Sequence, residues 1–353
     1  MELYVNIKKK LPGFSLDVQF EAGIDTVGIL GASGSGKSMT LRCIAGLETP
    51  DSGRIVLNGR VLYDAARGIN LPSRKRKIGF LFQNYALFPN MTVEENIRFG
   101  LGALKPGEQV RKVNEMISMV HLEGLEKRYP SQLSGGQQQR AALARALAIE
   151  PEALMLDEPF SALDEHLRNH LLKQLMETLS NYRGVTLFVT HNMEEAYRIC
   201  RELVILSSGK LEAKGKKEAI FMKPPTLVTA QLTGCKNFSS IKYLSPYEIE
   251  ALDWGIKLKV NTECKEGISH VGICGHYIDL AEEGDTENIF KCWSGFTSET
   301  PFSQTVYLSL ERKPLSSQDY HLQWEVTKEK WDKIKDMQQP WYLKLNPEKL
   351  ILV

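Results

Sequence analysis

The chain has 353 residues, of which 42% are hydrophobic and 25% charged, and its formal net charge at pH 7 is +1. This is the composition of a globular protein long enough for one large domain or two ordinary ones. A charge so close to zero, with Lys and Glu scattered through both halves, argues against a nucleic acid or another polyanion as the partner.

The first elements of the chain are predicted to be strands. Residues 14–20 alternate apolar and polar side chains, as a half-buried strand does, and residues 27–30 form a short apolar run typical of a buried strand. Residues 54–63 are predicted to form a hairpin, because Asn58 and Gly59 both tolerate a positive φ at a two-residue turn.

The chain then alternates strands and helices up to about residue 206. Thr92 and Glu95 have the spacing of a capping box at a helix start. The predicted strands are 78–82, 153–156 and 185–189, and the predicted helices are 92–99, 110–120 and 165–179. This alternation predicts an α/β sheet with helical additions.

Beyond Lys223 and Gly234 the composition changes and short strands dominate. The predicted strands are 256–260, 271–273, 305–310, 322–326 and 341–345. Strands with turn signals and few helices predict a small β-barrel domain. We therefore expect one domain at 1–234 and a β-rich accessory domain at 235–353.

Residues 31–38, Gly-Ala-Ser-Gly-Ser-Gly-Lys-Ser, fit the phosphate-loop pattern, and a predicted strand enters and a predicted helix leaves this segment. In such a loop backbone N–H groups turn towards phosphates, the lysine faces the β- and γ-phosphates and the last hydroxyl faces Mg²⁺. A glycine-rich turn without a ligand is the alternative. The predicted nucleotide contacts here are Gly31, Ala32, Ser33, Gly34, Ser35, Gly36, Lys37, Ser38 and Met39.

A run of apolar residues at 153–156 ends in two carboxylates, Asp157 and Glu158. A strand entering beside the phosphate loop would place Asp157 near Mg²⁺, through water, and Glu158 near the attacking water. By itself such a pair is usually a solvated strand end. The phosphate loop upstream favours the functional interpretation.

Three further polar positions follow from the predicted elements. Residues 133–137, Leu-Ser-Gly-Gly-Gln, precede a helical stretch, so Ser134 would lie where free N–H groups favour an anion, or would only cap the helix. His191 follows a buried strand and could contact a γ-phosphate or be structural. Gln83 also follows a strand and by itself is an ordinary loop residue.

Other features exclude particular classes of protein. The basic run at 74–77 is predicted to be a solvated turn rather than a nucleic-acid patch. The cysteines lack metal or redox spacing and are predicted to be buried and reduced. We find no secretory signal and no run of about 18 apolar residues, so partner subunits would have to supply any membrane spans.

The order of the motifs resembles that of an ABC-transporter nucleotide-binding domain over about the first 235 residues. The motifs are the phosphate loop, Gln83, residues 133–137, Asp157-Glu158, Ser161-Ala-Leu-Asp164 and His191. The resemblance implies a P-loop (RecA-like) α/β cassette with a helical subdomain at about 88–150. An OB-like all-β domain would follow it.

The resemblance also implies an assembly and a set of roles. Two subunits would face head to tail, so that the signature residues of one complete the ATP site of the other. The signature residues are Ser134, Gly135, Gly136 and Gln137; the catalytic residues are Glu158, His191 and Lys37; the Mg²⁺ ligands are Ser38, Gln83 and Asp157. Asp164 would join the two sites, and the region of Phe88 and Thr92 would dock an importer's permease.

Two finer inferences rest on the same resemblance. Phe14, with Tyr4 as the runner-up, would stack on adenine. Residues 53–64, 233–237 and 271–273 resemble molybdate-importer ATPases with a TOBE/Mop-like domain. The implied function is ATP-driven oxyanion uptake, of molybdate first, with tungstate, sulfate or iron as alternatives.

The same resemblance sets the expected partners. We expect a homodimer on the cytoplasmic face of the cell membrane, bound to permease subunits and, through them, to a substrate-binding protein. Weaker alternatives are an ABC ATPase acting on ribosomes or DNA and an oxyanion-sensing regulator with an inactive cassette.

Overall fold

The computed structural model describes residues 2–161 and 165–353. The chain divides into two compact units, Met1–Ile220 and Phe221–Val353. This division falls before the predicted boundary near residue 235, inside a short helix that ends at Met222. The functional domain boundary stays a prediction.

The first unit contains strands and helices in alternation. Its strands are β1 (Leu3–Leu11), β2 (Phe14–Ala22), β3 (Thr26–Leu30), β4 (Ser52–Leu57), β5 (Arg60–Asp64), β6 (Ile69–Asn70), β7 (Ile78–Leu81), β8 (Ala153–Asp157), β9 (Val185–Val189), β10 (Glu202–Ser207) and β11 (Lys210–Lys216). Its helices are α1 (Lys37–Ala45), α2 (Val93–Arg98), α3 (Pro106–Met119), α4 (Gly135–Ala148), α5 (Glu165–Asn181), α6 (Met193–Ile199) and α7 (Lys217–Met222), the last of which runs across the division.

These strands form one sheet in the order β6-β5-β4-β1-β2-β11-β10-β3-β9-β8-β7. The segment β10-β3-β9-β8-β7 is parallel, whereas β1, β2, β4 and β5 pair antiparallel. Strands β8 and β9 are buried along their whole length. Because parallel strands end at the same edge, the loops after β3, β7, β8 and β9 meet there.

The predicted elements of this unit are confirmed. The hairpin turns at Asn58 (φ 51°) and Gly59 (φ 76°), and Thr92 and Glu95 form both bonds of the capping box at the start of α2. Strand β1 was missed, although Leu3, Val5 and Ile7 alternate and are fully buried.

Helices α2, α3 and α4 lie between residues 88 and 150, where the resemblance implies a helical subdomain. Asn96 of α2 is fully buried and anchors the preceding loop. Its Oδ1 accepts from Phe88 N at 2.9 Å, and its Nδ2 donates to the carbonyls of Met91 and Thr92, both at 3.0 Å. On α4, Arg140 donates to carbonyls at the end of α3.

The interpretation of residues 74–77 as a solvated turn was wrong for Arg76, which is fully buried. Its guanidinium donates to the carbonyl oxygens of Leu71, Cys43 and Ile44 at 2.7–2.9 Å and to Asn70 Oδ1 at 2.8 Å. The carbonyls at the end of α1 have no partner within the helix, so a cation there is stabilising. Arg76 thus caps the helix that begins in the phosphate loop.

The second unit is β-rich, in agreement with the prediction of an all-β domain. Its strands are β12 (Asn237–Ser245), β13 (Glu248–Ala251), β14 (Ile256–Lys259), β15 (His270–Ile273), β16 (Ile278–Leu280), β17 (Ile289–Glu299), β18 (Ser303–Leu310), β19 (Leu322–Thr327), β20 (Trp341–Leu345) and β21 (Ile351–Leu352), and its helices are α8 (Leu227–Leu232) and α9 (Lys328–Ile334). The strands form two sheets, ordered β14-β13-β12-β15-β21 and β16-β20-β17-β18-β19. Trp254, Trp324 and Trp341 lie in their shared core.

The expectation that the cysteines are reduced was wrong for Cys235 and Cys274, which form a disulfide across 39 residues of sequence. Pairing of Asn237 on β12 with Ile273 on β15 brings them together. The other cysteines, Cys43, Cys200, Cys264 and Cys292, are free and buried. Within the described ranges, the structure holds no helix that is both long enough and apolar enough to span a membrane.

Candidate nucleotide-binding and hydrolytic site

The phosphate loop connects β3 to α1. Gly34 (φ 77°) and Gly36 (φ 101°) take left-handed backbone conformations that side chains disfavour. Lys37 Nζ donates to Gly31 O at 2.8 Å and Ala32 O at 3.0 Å. Burial lowers the pKa of Lys37, against the opposing charges of Glu158 and Asp157. No described side chain caps the start of α1, so its N–H groups can bind an anion.

The remaining loop residues divide into exposed and buried positions. Ala32, Ser33 and Gly34 are exposed. Ser35 is 4% exposed, and its Oγ has no hydrogen-bond partner in the part of the chain that the structure describes. Met39 packs against the main core instead of facing outward. The loop thus leaves its exposed tip, residues 32–34, open to a ligand, whereas the Ser35 hydroxyl is buried.

Ser38 and Asp157 meet as predicted, with Ser38 Oγ donating to Asp157 Oδ1 at 2.7 Å. Asp157 is 4% exposed, and burial raises its pKa while the Ser38 hydrogen bond opposes that rise. A hydroxyl and a carboxylate side by side are the hard oxygen donors that Mg²⁺ prefers. The residues present therefore fit a magnesium ion bound with a nucleotide.

Glu158 and His191 also meet, with His191 Nδ1 lying 3.2 Å from Glu158 Oε2. Glu158 has φ 46°, a conformation that costs free energy in a non-glycine residue and is common at functional sites. Its N–H donates to Val189 O at 3.0 Å, and its carbonyl accepts from Ser161 Oγ at 3.0 Å. These bonds hold the carboxylate at the edge of the sheet.

Gln83 reaches the same cluster through Ser161. Its Nε2 donates to Ser161 Oγ at 3.3 Å. Ser161 belongs to the motif at 161–164, but no local pattern links it to Gln83. Asp164, predicted to join two sites, lies outside the described residues.

The signature segment, residues 133–137, forms hydrogen bonds between its own residues. Ser134 Oγ accepts from Gln137 N at 3.3 Å, and Gln137 Oε1 accepts from Ser134 N at 2.9 Å, which completes a capping box on α4. Gly136 faces Leu171 of α5. Among the residues described, no hydrogen bond joins this segment to the phosphate loop. Gly135 begins the helix.

The two aromatic candidates occupy different places. A Cβ on Gly36 would lie 3.0 Å from the Phe14 ring, so Phe14 borders the phosphate loop. Tyr4 lies on the same β1–β2 ladder but opposite Glu21, towards its other end, whereas Phe14 pairs with Leu11. Proximity therefore favours Phe14, and its contact with adenine stays a prediction.

Sequence reasoning missed Arg145 of α4. Its guanidinium donates to Ala86 O at 2.7 Å and Tyr85 O at 3.0 Å and lies 5.3 Å from the Phe88 ring centroid. Tyr85 (φ 61°) and Ala86 (φ 45°) are themselves in left-handed conformations. Arg145 therefore ties the segment after Gln83 to the signature helix, although nothing in its local sequence predicts the contact.

Comparison with known proteins agrees with this geometry. A model of the ABC transporter family matches residues 15–161. The probable sulfate/thiosulfate import ATP-binding protein CysA of Chlorella vulgaris is 44% identical over 240 residues, which are 66% of this chain and 99% of the relative.

Similar proteins from other organisms are matched over part of their length. The sulfate/thiosulfate import ATP-binding proteins CysA of Synechocystis sp. and Mesostigma viride are 50% and 46% identical over 56% and 66% of this chain. The matches span 55% and 66% of those relatives. About a third of the chain lies outside each of the longer matches.

A solved structure has the same fold over the matched region. The ATP-binding cassette MJ0796, in a dimeric post-hydrolysis state bound to ADP and Pi, is 30% identical with a TM-score of 0.52. The match covers 62% of this chain and 99% of that cassette.

Proposed function

Because the chain belongs to the ABC transporter family, we propose that it is the ATP-binding and ATP-hydrolysing subunit of an importer. The observation that carries the proposal is the meeting of Ser38 with Asp157 and of Glu158 with His191 beside one phosphate loop. The names of the relatives, which are import ATP-binding proteins, support it.

Each side chain of the cluster has a role in hydrolysis. The N–H groups of the phosphate loop and Lys37 hold the phosphates, and Glu158 accepts a proton from the water that it orients for in-line attack. His191, next to Glu158, contacts the γ-phosphate. A bound Mg²⁺ neutralises phosphate charge, and Ser38, Asp157 and Gln83 are the residues that would hold it.

The working unit in this proposal is a head-to-tail homodimer. Ser134 lies in a segment separate from the phosphate loop. Each chain would therefore supply the phosphate loop of one ATP site and the signature segment of the other. The dimeric state of the solved cassette supports this arrangement. Permease subunits at the membrane would dock near Phe88, where Arg145 links their contact surface to the signature helix.

For the transported substrate, the relatives favour sulfate or thiosulfate over the molybdate expected from sequence resemblance. Several relatives carry sulfate/thiosulfate import in their names, and sulfate was among the alternatives. We therefore propose sulfate/thiosulfate uptake, with the subunit on the cytoplasmic face of the membrane.

The test of hydrolysis is Glu158→Gln, which keeps the size of the side chain but removes the base. We expect turnover of ATP to fall about 100- to 10,000-fold while the affinity for ATP stays near that of the parent. The matched control is Glu152→Gln, because Glu152 flanks the other end of β8 and is similarly shielded, 23% against 18% exposed. Parent-like hydrolysis by Glu158→Gln would reject Glu158 as the base.

The substrate is tested in the complex with the permease and the binding protein. Sulfate, thiosulfate, molybdate and tungstate are each added to the complex in liposomes, and ATP turnover and anion uptake are measured. The proposal expects stimulation by sulfate or thiosulfate. Stimulation by molybdate alone would reject that substrate and leave the ATPase assignment intact.

A further inference from the structure

Glu195 is a buried carboxylate that the proposed chemistry leaves without a role. It lies in the first turn of α6 and is 5% exposed. Its Oε2 accepts from Thr190 Oγ1 at 2.6 Å, and its Oε1 lies 3.6 Å from Arg168 Nε on α5. A buried charge is costly unless it is paired and hydrogen-bonded, so these contacts keep it in one place.

Thr190 connects Glu195 to the residues on both sides of His191. Its Oγ1 donates to Glu195 and also accepts from Asn192 N at 3.0 Å. The residues immediately before and after His191 are thus joined by one hydroxyl. Thr190 N in turn approaches Ile29 O at 3.5 Å, on the strand that enters the phosphate loop.

The His191 side chain depends on this backbone. Its imidazole is 61% exposed, and its Nδ1 contacts Glu158 at 3.2 Å. An exposed ring has little packing to fix it, so its direction follows from the backbone of residues 190–192. A displacement of about 1 Å at a reacting centre can cost about 100-fold in rate.

We infer that Glu195 is a positioning residue for ATP hydrolysis, which acts through Thr190 to hold His191 opposite Glu158. The inference rests on the proposed function. Glu195 also reaches Arg168 of α5, so the helix that follows the motif at 161–164 and the segment with His191 share one carboxylate.

The neighbouring glutamate provides a matched control. Glu194 and Glu195 both lie in the first turn of α6, and the N–H groups of both bond to Asn192 Oδ1, but Glu194 is exposed. Replacing either by Ala removes the same charge from the same helix start. Only Glu195→Ala removes the bond to Thr190.

The kinetic test compares four variants with the parent. We expect Glu195→Ala and Thr190→Val to lower kcat about 10- to 100-fold with little change in KM for ATP. Glu195→Gln, whose amide oxygen still accepts from Thr190, should restore most of kcat, and Glu194→Ala should match the parent. Equal kcat for Glu195→Ala and Glu194→Ala would overturn the inference.

Hydrogen exchange separates this inference from the proposed function, because it needs no turnover. In the full chain without nucleotide, the amides of residues 190–192 should exchange at least several-fold faster in Glu195→Ala and Thr190→Val than in Glu194→Ala. Unchanged exchange would overturn the inference. A parent that fails to hydrolyse ATP would overturn the proposed function and the catalytic part of the inference, whereas the exchange comparison would still test whether Glu195 holds residues 190–192 in place. If Glu195→Ala fails to fold, Thr190→Val and its rescue by Thr190→Ser decide.

Discussion

The phosphate loop and the signature segment are both glycine-rich starts of helices, yet they differ in what satisfies their backbone donors. At the start of α1, Gly36 provides no side-chain cap and Lys37 lies beneath the loop. At the start of α4, Ser134 and Gln137 close a capping box upon each other.

The difference indicates that the phosphate loop leaves more backbone donors without a side-chain partner than the signature segment does. The first turn of a helix has unsatisfied N–H groups that require side chains, water or a ligand. In α1 no side chain supplies that partner, which leaves water or a ligand, whereas at the start of α4 the Ser134 side chain already accepts from the N–H of Gln137. In the function that we propose, the phosphate loop is the primary site and the signature segment completes a site across a dimer.

Lys37→Ala should have the largest effect on ATP affinity. The signature segment has no charged side chain that could replace Lys37. Loss of a charge-assisted hydrogen bond of about 1.5–3 kcal/mol predicts roughly 10- to 100-fold weaker ATP binding. Titration with a fluorescent ATP analogue measures it. Lys8→Ala, which removes an exposed ion pair with Asp17, is the control. Parent-like ATP affinity in Lys37→Ala would show that the phosphate loop does not bind the phosphates through Lys37.

Alanine at one glycine of each segment should have unequal effects on stability. Gly36→Ala forces a side chain into φ 101° and places Cβ 2.6 Å from Leu16 Cδ1, so we expect a loss of about 1–3 kcal/mol. Gly136→Ala lies in a regular helix, where higher helix propensity offsets a 3.0 Å contact with Leu171, and should change stability by less than about 1 kcal/mol. Urea unfolding measures the free energy of unfolding of both variants, and equal losses would show that the two glycines are not under different constraints.

The smallest expected effect is on the capping box. Ser134→Ala should destabilise the chain by about 1 kcal/mol, because it removes the cap of α4. Ser134→Asp keeps a capping oxygen, and thus stability, but places a negative charge where the partner's γ-phosphate would lie. Unfolding and ATP turnover are measured on both variants. Hydrolysis of ATP at the parent rate by the Ser134→Asp variant would place Ser134 away from the phosphate.

The site was largely predictable because its residues follow local patterns. Apolar runs end at Gly31 and Asp157, and parallel pairing then brings those strand ends together. Phe14 could be proposed only by family resemblance, since its place beside Gly36 depends on how β2 packs.

Contacts with backbone groups that are distant along the chain could not be predicted from the sequence. Arg76 is bonded to the carbonyls of Cys43 and Ile44, which have no side-chain signature. Glu195 is indistinguishable by type from Glu194, and only the face of α6 that packs inward separates them. The Cys235–Cys274 disulfide likewise required the β12–β15 register.

The most direct test of the composite site uses two variants that should each be inactive, Lys37→Ala and Ser134→Arg. The two chains are co-expressed with different affinity tags, and the mixed dimer is purified through both tags. One site then pairs an intact phosphate loop with an intact signature segment, so we expect roughly half the parent ATP turnover per dimer. A mixed dimer no more active than either variant alone would contradict the composite site.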